Sequence, residues 1–113
     1  SMKMVAGILL NRLALGMPLQ ADASIEYVLD TPLNNLKPGE LAEYLATLDS
    51  PYNTYQNPGL PPTPIGNPGL QAISAALNPT ESEYLFYITG EDGNFYYSET
   101  LQEHNRNVDR YLR

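Results

Sequence analysis

The sequence has no cysteine and no tryptophan, a single histidine, and six Lys and Arg against thirteen Asp and Glu. Without cysteine there is neither a disulfide framework nor a thiolate metal site. One histidine, His104, excludes an imidazole metal cluster and the H-E-x-x-H arrangement of zinc hydrolases. Nothing around any serine resembles a nucleophile elbow, and His104 falls in a predicted helix beside Glu103, where a helix-surface or capping role accounts for it. The two lysines, Lys3 and Lys37, sit at the ragged start and in a loop before a proline. Neither setting desolvates an amine for Schiff-base chemistry, so a pyridoxal phosphate lyase is disfavoured. Gly59, Gly66 and Gly69 stand among prolines and make no phosphate cradle. A net charge of −7 supplies no basic patch for nucleic acid. No run of about 18 apolar residues exists to span a membrane, and the start lacks the n-region and h-region of a signal peptide.

What is present is one small domain's worth of sequence: 113 residues, 42% of them hydrophobic. Ser1 and Met2 read as an expression remnant. Val5 to Leu15 has helical apolar spacing and stops at Gly16 and Pro18, but no capping residue stands at its start. Asp22 to Leu29 reads as a short helix capped by Asp22. Thr31 to Pro38, with Asn34 and Asn35, reads as a loop. Pro38 then suits the first turn of a helix over Gly39–Leu48, with Leu41, Tyr44, Leu45 and Leu48 on one face. Residues 49–70 hold six prolines and three glycines, which exclude regular structure. Tyr52, Tyr55, Leu60 and Ile65 give that stretch apolar anchors, so it reads as a long ordered loop. A helix opening at Asn67 or Pro68 carries Leu70, Ile73, Ala76 and Leu77 and stops at Asn78-Pro79. Tyr84–Thr89 and Phe95–Tyr97 form a β-hairpin about a Gly90–Asn94 turn. Ser98 or Thr100 caps a last helix ending at Tyr111, with Glu103 as capping-box partner. The fold class is α+β: mainly helical, with a long ordered Pro-rich loop and a β-hairpin before the last helix.

Chemistry then rests on carboxylates and tyrosines. Asp22 and Glu26 are four apart and share a helical face. Capping and solvation explain them as well as general-acid work does. Nine tyrosines are present, and the cluster Tyr52, Asn53, Tyr55, Gln56, Asn57 has the stacking and hydrogen-bonding character of a sugar site. Turn formation explains the same residues.

Several segments carry a specific resemblance. Asp49-Ser50-Pro51-Tyr52-Asn53-Thr54-Tyr55, then Gly59-Leu60-Pro61-Pro62 and Pro64-Ile65-Gly66-Asn67-Pro68-Gly69, resemble the SPYNTY…GLPPxPIxNPG pattern of the YceG-like family of endolytic murein transglycosylases. Val5-Ala6-Gly7, Asn11-Arg12-Leu13 and Gly16 to Asp22 are similar to its VAGVFxNRLxxGMPLQxD segment. Ala75 to Pro79, Tyr84 to Tyr87 and Ser98 to Asn105 follow in order. Asp22-Ala23-Ser24 departs from the family's Asp-Pro-Thr, and Glu26 stands at a variable position before Tyr27, so the resemblance does not support Glu26 as a catalyst.

The resemblance implies a lysozyme-like domain of a membrane-anchored bacterial enzyme facing the cell wall. Such an enzyme works with the cell-wall synthesis machinery, without metal or cofactor. Its substrate is the MurNAc–GlcNAc β-1,4 bond of nascent peptidoglycan, and its products are 1,6-anhydro ends. The family's general-acid glutamate lies in an A-S-[IL]-[IV]-E-x-E helix upstream of the Val5 segment. Residues 1–113 are accordingly expected to be a single partial domain, C-terminal in the catalytic domain, soluble, inactive alone, and prone to homo-oligomerise by exchange of the Val5–Leu15 helix. The residues implied at the substrate groove are Gln20, Asp22, Tyr27, Asn53 and Tyr55. Gln20 and Asn53 would hydrogen-bond sugar or N-acetyl groups, Tyr55 would stack or position the glutamate, and Asp22 would organise the site. The competing reading is a non-catalytic glycan- or protein-binding module of a cell-wall protein.

Overall fold

Apolar residues three and four apart open the chain and form α1, Met2–Leu15, in the computed structural model, which describes residues 2–32 and 35–112. Met2, read as a remnant, begins that helix, whereas Ser1 and the loop residue Asn34 lie outside the described residues. The chain divides into two compact units, one of Ser1–Arg12 with Pro68–Arg113 and one of Leu13–Asn67.

In the first unit α1 buries Gly7, Ile8 and Arg12 against the stretch 80–85. A Cβ at Gly7 would stand 2.1 Å from the Thr80 carbonyl oxygen, so only glycine lets the helix approach so closely. The Thr80 N–H donates to the Lys3 carbonyl at 3.0 Å. One turn beyond Gly7, Asn11 Nδ2 donates to the carbonyls of Ser82 (2.8 Å) and Tyr84 (2.9 Å). Arg12 Nε donates to the Leu85 carbonyl at 2.7 Å. The helix therefore satisfies backbone groups that no strand partner reaches.

The rest of this unit follows from local signals with three adjustments. Helix α4, Leu70–Leu77, starts after Gly69, later than the Asn67 or Pro68 opening expected, and its buried residue is Ala75. Leu70, Ile73 and Leu77 are exposed. Strands β1, Phe86–Thr89, and β2, Phe95–Ser98, pair antiparallel with Phe86 opposite Ser98 and Thr89 opposite Phe95. The Leu85 N–H still donates to the Ser98 carbonyl at 3.0 Å, but the Tyr84 and Leu85 carbonyls go to α1, and the strand begins at Phe86. Helix α5, Leu101–Tyr111, is capped by Thr100, whose Oγ1 accepts from the Glu103 N–H at 3.1 Å. It packs on both strands. His104 does not lie on the helix surface as expected. Its ring is half-buried and stacks on Phe86, with centroids 5.1 Å apart, because α5 turns that position toward the hairpin. The Arg12 guanidinium lies 5.0 Å from the same Phe86 ring.

In the second unit Gly16, at φ 70°, closes the end of α1 with its N–H on the Leu13 carbonyl at 3.2 Å. Helix α2 spans Asp22–Leu29, as its pattern predicts, but Ala21 is the cap residue and no side chain caps it. Asp22 is instead the first helical residue, and its carboxylate is taken by a tyrosine described below. Helix α3, Pro38–Thr47, starts at the proline whose fixed φ suits a first turn. Residues 48–67 form neither helix nor strand. Turn bonds order them: Asn53 N–H to the Ser50 carbonyl at 3.0 Å, and Asn57 Nδ2 to the Ser50 and Asn53 carbonyls at 2.9 and 3.1 Å. Among the described residues of this unit, Leu19 and Ile25 are the buried apolar ones. The described residues form five helices and one two-stranded hairpin placed before the last helix, an α+β, mainly helical fold.

Candidate functional site

Two short segments of the second unit, 19–22 and 53–55, are joined side by side. The Gln20 N–H donates to the Thr54 carbonyl at 3.2 Å, and the Ala21 N–H donates to Thr54 Oγ1 at 2.9 Å. Ser24 Oγ donates to the Ala21 carbonyl at 2.7 Å and lies 2.8 Å from Thr54 Oγ1. Thr54 and Ser24 are buried, so these bonds form away from competing water. Gln20 pays for the junction with a left-handed backbone, φ 51°, unusual outside glycine. Its side chain is exposed.

The junction brings Asp22 and Tyr55 into contact, the phenol hydroxyl donating to the carboxylate. Gln20, bonded through its backbone to Thr54, stands two residues before Asp22 and one pairing away from Tyr55. Tyr27, further along α2 and 48% exposed, pairs with Tyr52 at a centroid distance of 5.1 Å and a tilt of 41°. The Tyr52 hydroxyl lies 2.7 Å from Thr63 Oγ1, which ties this aromatic pair to the Pro-rich segment. Asn53 is placed differently. It is fully buried, its Nδ2 donates to the carbonyls of Leu48 (3.0 Å) and Leu45 (3.4 Å), and its Oδ1 accepts from the Tyr55 N–H at 3.0 Å. The direct sugar hydrogen bond expected of Asn53 requires an exposed carboxamide, whereas this one fixes the backbone beneath Tyr55.

A cleft of about 400 Å³ opens beside the junction. Leu19, Ala21, Ser24 and Thr54 line one side, and Leu60 to Ile65 the other. Its surface is carbon, because the Ser24 and Thr54 hydroxyls are turned to each other and to Ala21. Leu60, expected as a buried anchor, is 73% exposed, and Ile65 is half-buried. An aromatic pair, an exposed amide side chain, a carboxylate–phenol pair and an apolar recess suit a neutral hydroxylated ligand that also carries carbon substituents.

In the other unit several groups have displaced protonation equilibria. A hydrogen bond with Glu83 raises the Glu99 carboxyl above its usual range, reinforced by burial and by the charges of Glu83 and Glu103. The Tyr96 hydroxyl, with the Asn94 N–H, holds Asp92 below its usual range. Burial raises Tyr97, and burial with the Arg12 charge lowers His104. Sequence reading missed the Glu83–Glu99 pair. Its signal was the hairpin register, which sets residues just before β1 opposite residues just after β2. Among the described residues no group of three or more His, Cys, Asp or Glu is arranged to hold a metal ion. Among them also no helix is long and apolar enough to cross a membrane.

Comparison with known proteins places these features in a family. The model of the YceG-like family matches residues 1–110. An endolytic murein transglycosylase of Bacillus subtilis is 36% identical over 108 residues, 96% of this chain and 29% of the relative. One of Streptococcus pneumoniae is 36% identical over 111 residues, 97% of this chain and 20% of the relative. A crystal structure of a yceG-like protein from Listeria monocytogenes superposes with a TM-score of 0.80 at 43% identity, over 92% of this chain and 33% of that one. The chain therefore spans between a fifth and a third of the length of these relatives.

Proposed function

The chain belongs to the YceG-like family, and from that premise we propose that residues 1–113 supply the glycan-binding wall of a murein transglycosylase. The whole protein would cleave the MurNAc–GlcNAc β-1,4 bond of peptidoglycan within the strand. A carboxylic acid protonates the glycosidic oxygen as its bond to C1 breaks. The resulting carboxylate then takes the proton of the muramoyl 6-hydroxyl while that oxygen bonds to C1, leaving a 1,6-anhydro end. The nucleophile belongs to the substrate, so one carboxyl serves where hydrolysis uses two.

The observation that carries the reading is the junction of 19–22 with 53–55, which gathers Gln20, Asp22 and Tyr55 beside an apolar cleft. In this proposal Gln20 donates to and accepts from sugar hydroxyl or amide groups, and Tyr27 offers a stacking face. The Asp22–Tyr55 pair fixes the junction, and Asn53 supports Tyr55 from beneath. No carboxylate lines the cleft. The general acid is accordingly assigned to a glutamate outside residues 1–113, and these residues alone bind without cleaving.

The test uses soluble murein glycan strands freed of peptide. The chain binds them, Gln20→Ala weakens binding by about three- to tenfold for a lost hydrogen bond, and no 1,6-anhydro products appear. The full-length protein produces those products. Anhydro ends released by the 113-residue chain would overturn the assignment of the acid. Binding without cleavage by the full-length protein would make it a non-catalytic glycan-binding module.

A further inference from the structure

The cleft beside the junction is more apolar than a sugar ring requires. A pyranose displays hydroxyls on its edges, and a pocket made for the ring alone presents unengaged donors and acceptors to them. Here the hydroxyls of Ser24 and Thr54 on the cleft wall are bonded to each other and to Ala21, and that of Thr63 lies against the Tyr52 hydroxyl. What remains is carbon from Leu19, Ala21 and the Leu60–Ile65 segment. Of the lining residues, Ala21 is flanked in sequence by Gln20 and Asp22, and Thr54 by Asn53 and Tyr55. A ligand that hydrogen-bonds to Gln20 thus has carbon surface within reach of its substituents. The volume, about 400 Å³, falls within the range of small-molecule sites, about 300–1,000 Å³.

Resting on the glycan-binding reading, we propose that this cleft receives the N-acyl groups of the glycan and makes binding depend on the acyl methyl. The amide end of such a group is polar and faces Gln20 at the rim. The methyl end has no hydrogen-bonding capacity and is the part that gains from leaving water. The Thr63–Tyr52 hydroxyl contact holds the Pro-rich wall in place over the recess, so the cleft is bounded on the side away from Leu19.

The experiment varies the ligand and leaves the protein as it is. Murein glycan strands freed of peptide are N-deacetylated and re-acylated with formyl, acetyl or propionyl groups, which preserves the amide and adds no charge. Binding to the unmodified chain is measured by calorimetry, with methyl shifts of Ala21, Leu60 and Ile65 followed by NMR. Acetyl strands are expected to bind at least about fourfold tighter than formyl strands, the worth of one buried methyl, and to shift those methyls. Equal affinity for formyl and acetyl strands, with the cleft methyls unmoved, overturns the proposal while leaving glycan binding standing. Failure of every strand to bind removes the glycan reading itself, and this proposal with it. Ala21→Leu narrows the recess and is expected to abolish the preference for acetyl over formyl strands. A fall on both ligands equally assigns Ala21 to the junction and counts against the acyl site. Should that variant fail to fold, the ligand series on the unmodified chain decides the matter.

Discussion

The two units solve the same problem in opposite ways. In each, polar groups of one segment satisfy backbone groups of another that lies outside helix and strand. In the first, Gly7, Asn11 and Arg12 of α1 meet the stretch 80–85, and Asn11 Nδ2 and Arg12 Nε are spent on its carbonyls. In the second, Thr54 and Ser24 hold 19–22 against 53–55 from the buried side and leave Gln20, Asp22 and Tyr55 at the surface. One motif holds the fold together, and the other holds a surface in shape. Residues equally prominent in a sequence pattern thus divide into those that support and those that present.

The sharpest way to break the holding motif is Gly7→Ala. The added Cβ would lie 2.1 Å from the Thr80 carbonyl oxygen, a backbone atom that moves only if the helix lifts away. Alanine's better helix propensity returns about 1 kcal/mol, but the displaced contacts cost more. We expect a net loss of about 3 kcal/mol in urea unfolding. A stable Gly7→Ala chain with Thr80 still bonded to Lys3 would show that the close approach is unnecessary. Asn11→Ala comes next, with an expected loss of about 2 kcal/mol, because two carbonyls lose their donor at once. Its folded fraction should bind glycan strands as the parent does, since Asn11 presents nothing to the candidate surface.

Thr54→Val applies the same logic to the presenting motif. Valine keeps the shape but strands the Ala21 N–H in the interior and leaves the Ser24 hydroxyl only its bond to the Ala21 carbonyl. The expected cost is about 1.5 kcal/mol. Unlike Asn11→Ala, it should also weaken glycan binding, because the spacing of Gln20 and Tyr55 depends on it. Equal binding by the two variants after correction for unfolded protein would erase the distinction between the units.

This division was only half visible in the sequence, and the reason is range. The bounds of α2 and the Thr100 cap of α5 are set by neighbours within a turn, so pattern reading finds them. The acceptors of Asn11 lie 71 and 73 residues away, and nothing near Asn11 announces them. Asn53 shows the same limit at the candidate site. An asparagine between tyrosines suits a sugar contact and a turn equally, and the Leu45 and Leu48 carbonyls that bury it belong to another element. Asp22 is a good cap by type, yet the Tyr55 hydroxyl takes its carboxylate. Local competition was legible there, and its outcome was decided by the fold.

The smallest effect expected separates the units by pH. His104 stacks on Phe86, its Nδ1 is buried without a hydrogen-bond partner, and the Arg12 cation lies over the same Phe86 ring. Burial first, and the Arg12 charge second, hold its pKa below the ordinary 6.5. Above about pH 6.5 the ring is neutral in both folded and unfolded chains, so it leaves stability independent of pH. As pH falls below that value the unfolded chain takes up a proton that the folded ring resists, and stability declines. The decline ends once the lowered folded value is passed. His104→Phe keeps the stacked ring and removes the titration. The stability difference between parent and variant should therefore shift against the parent between about pH 7.5 and about pH 5. The junction of 19–22 with 53–55 contains no histidine, so a Thr54→Val background should leave that shift unchanged. A shift that vanished there would mean that the two motifs do not act independently.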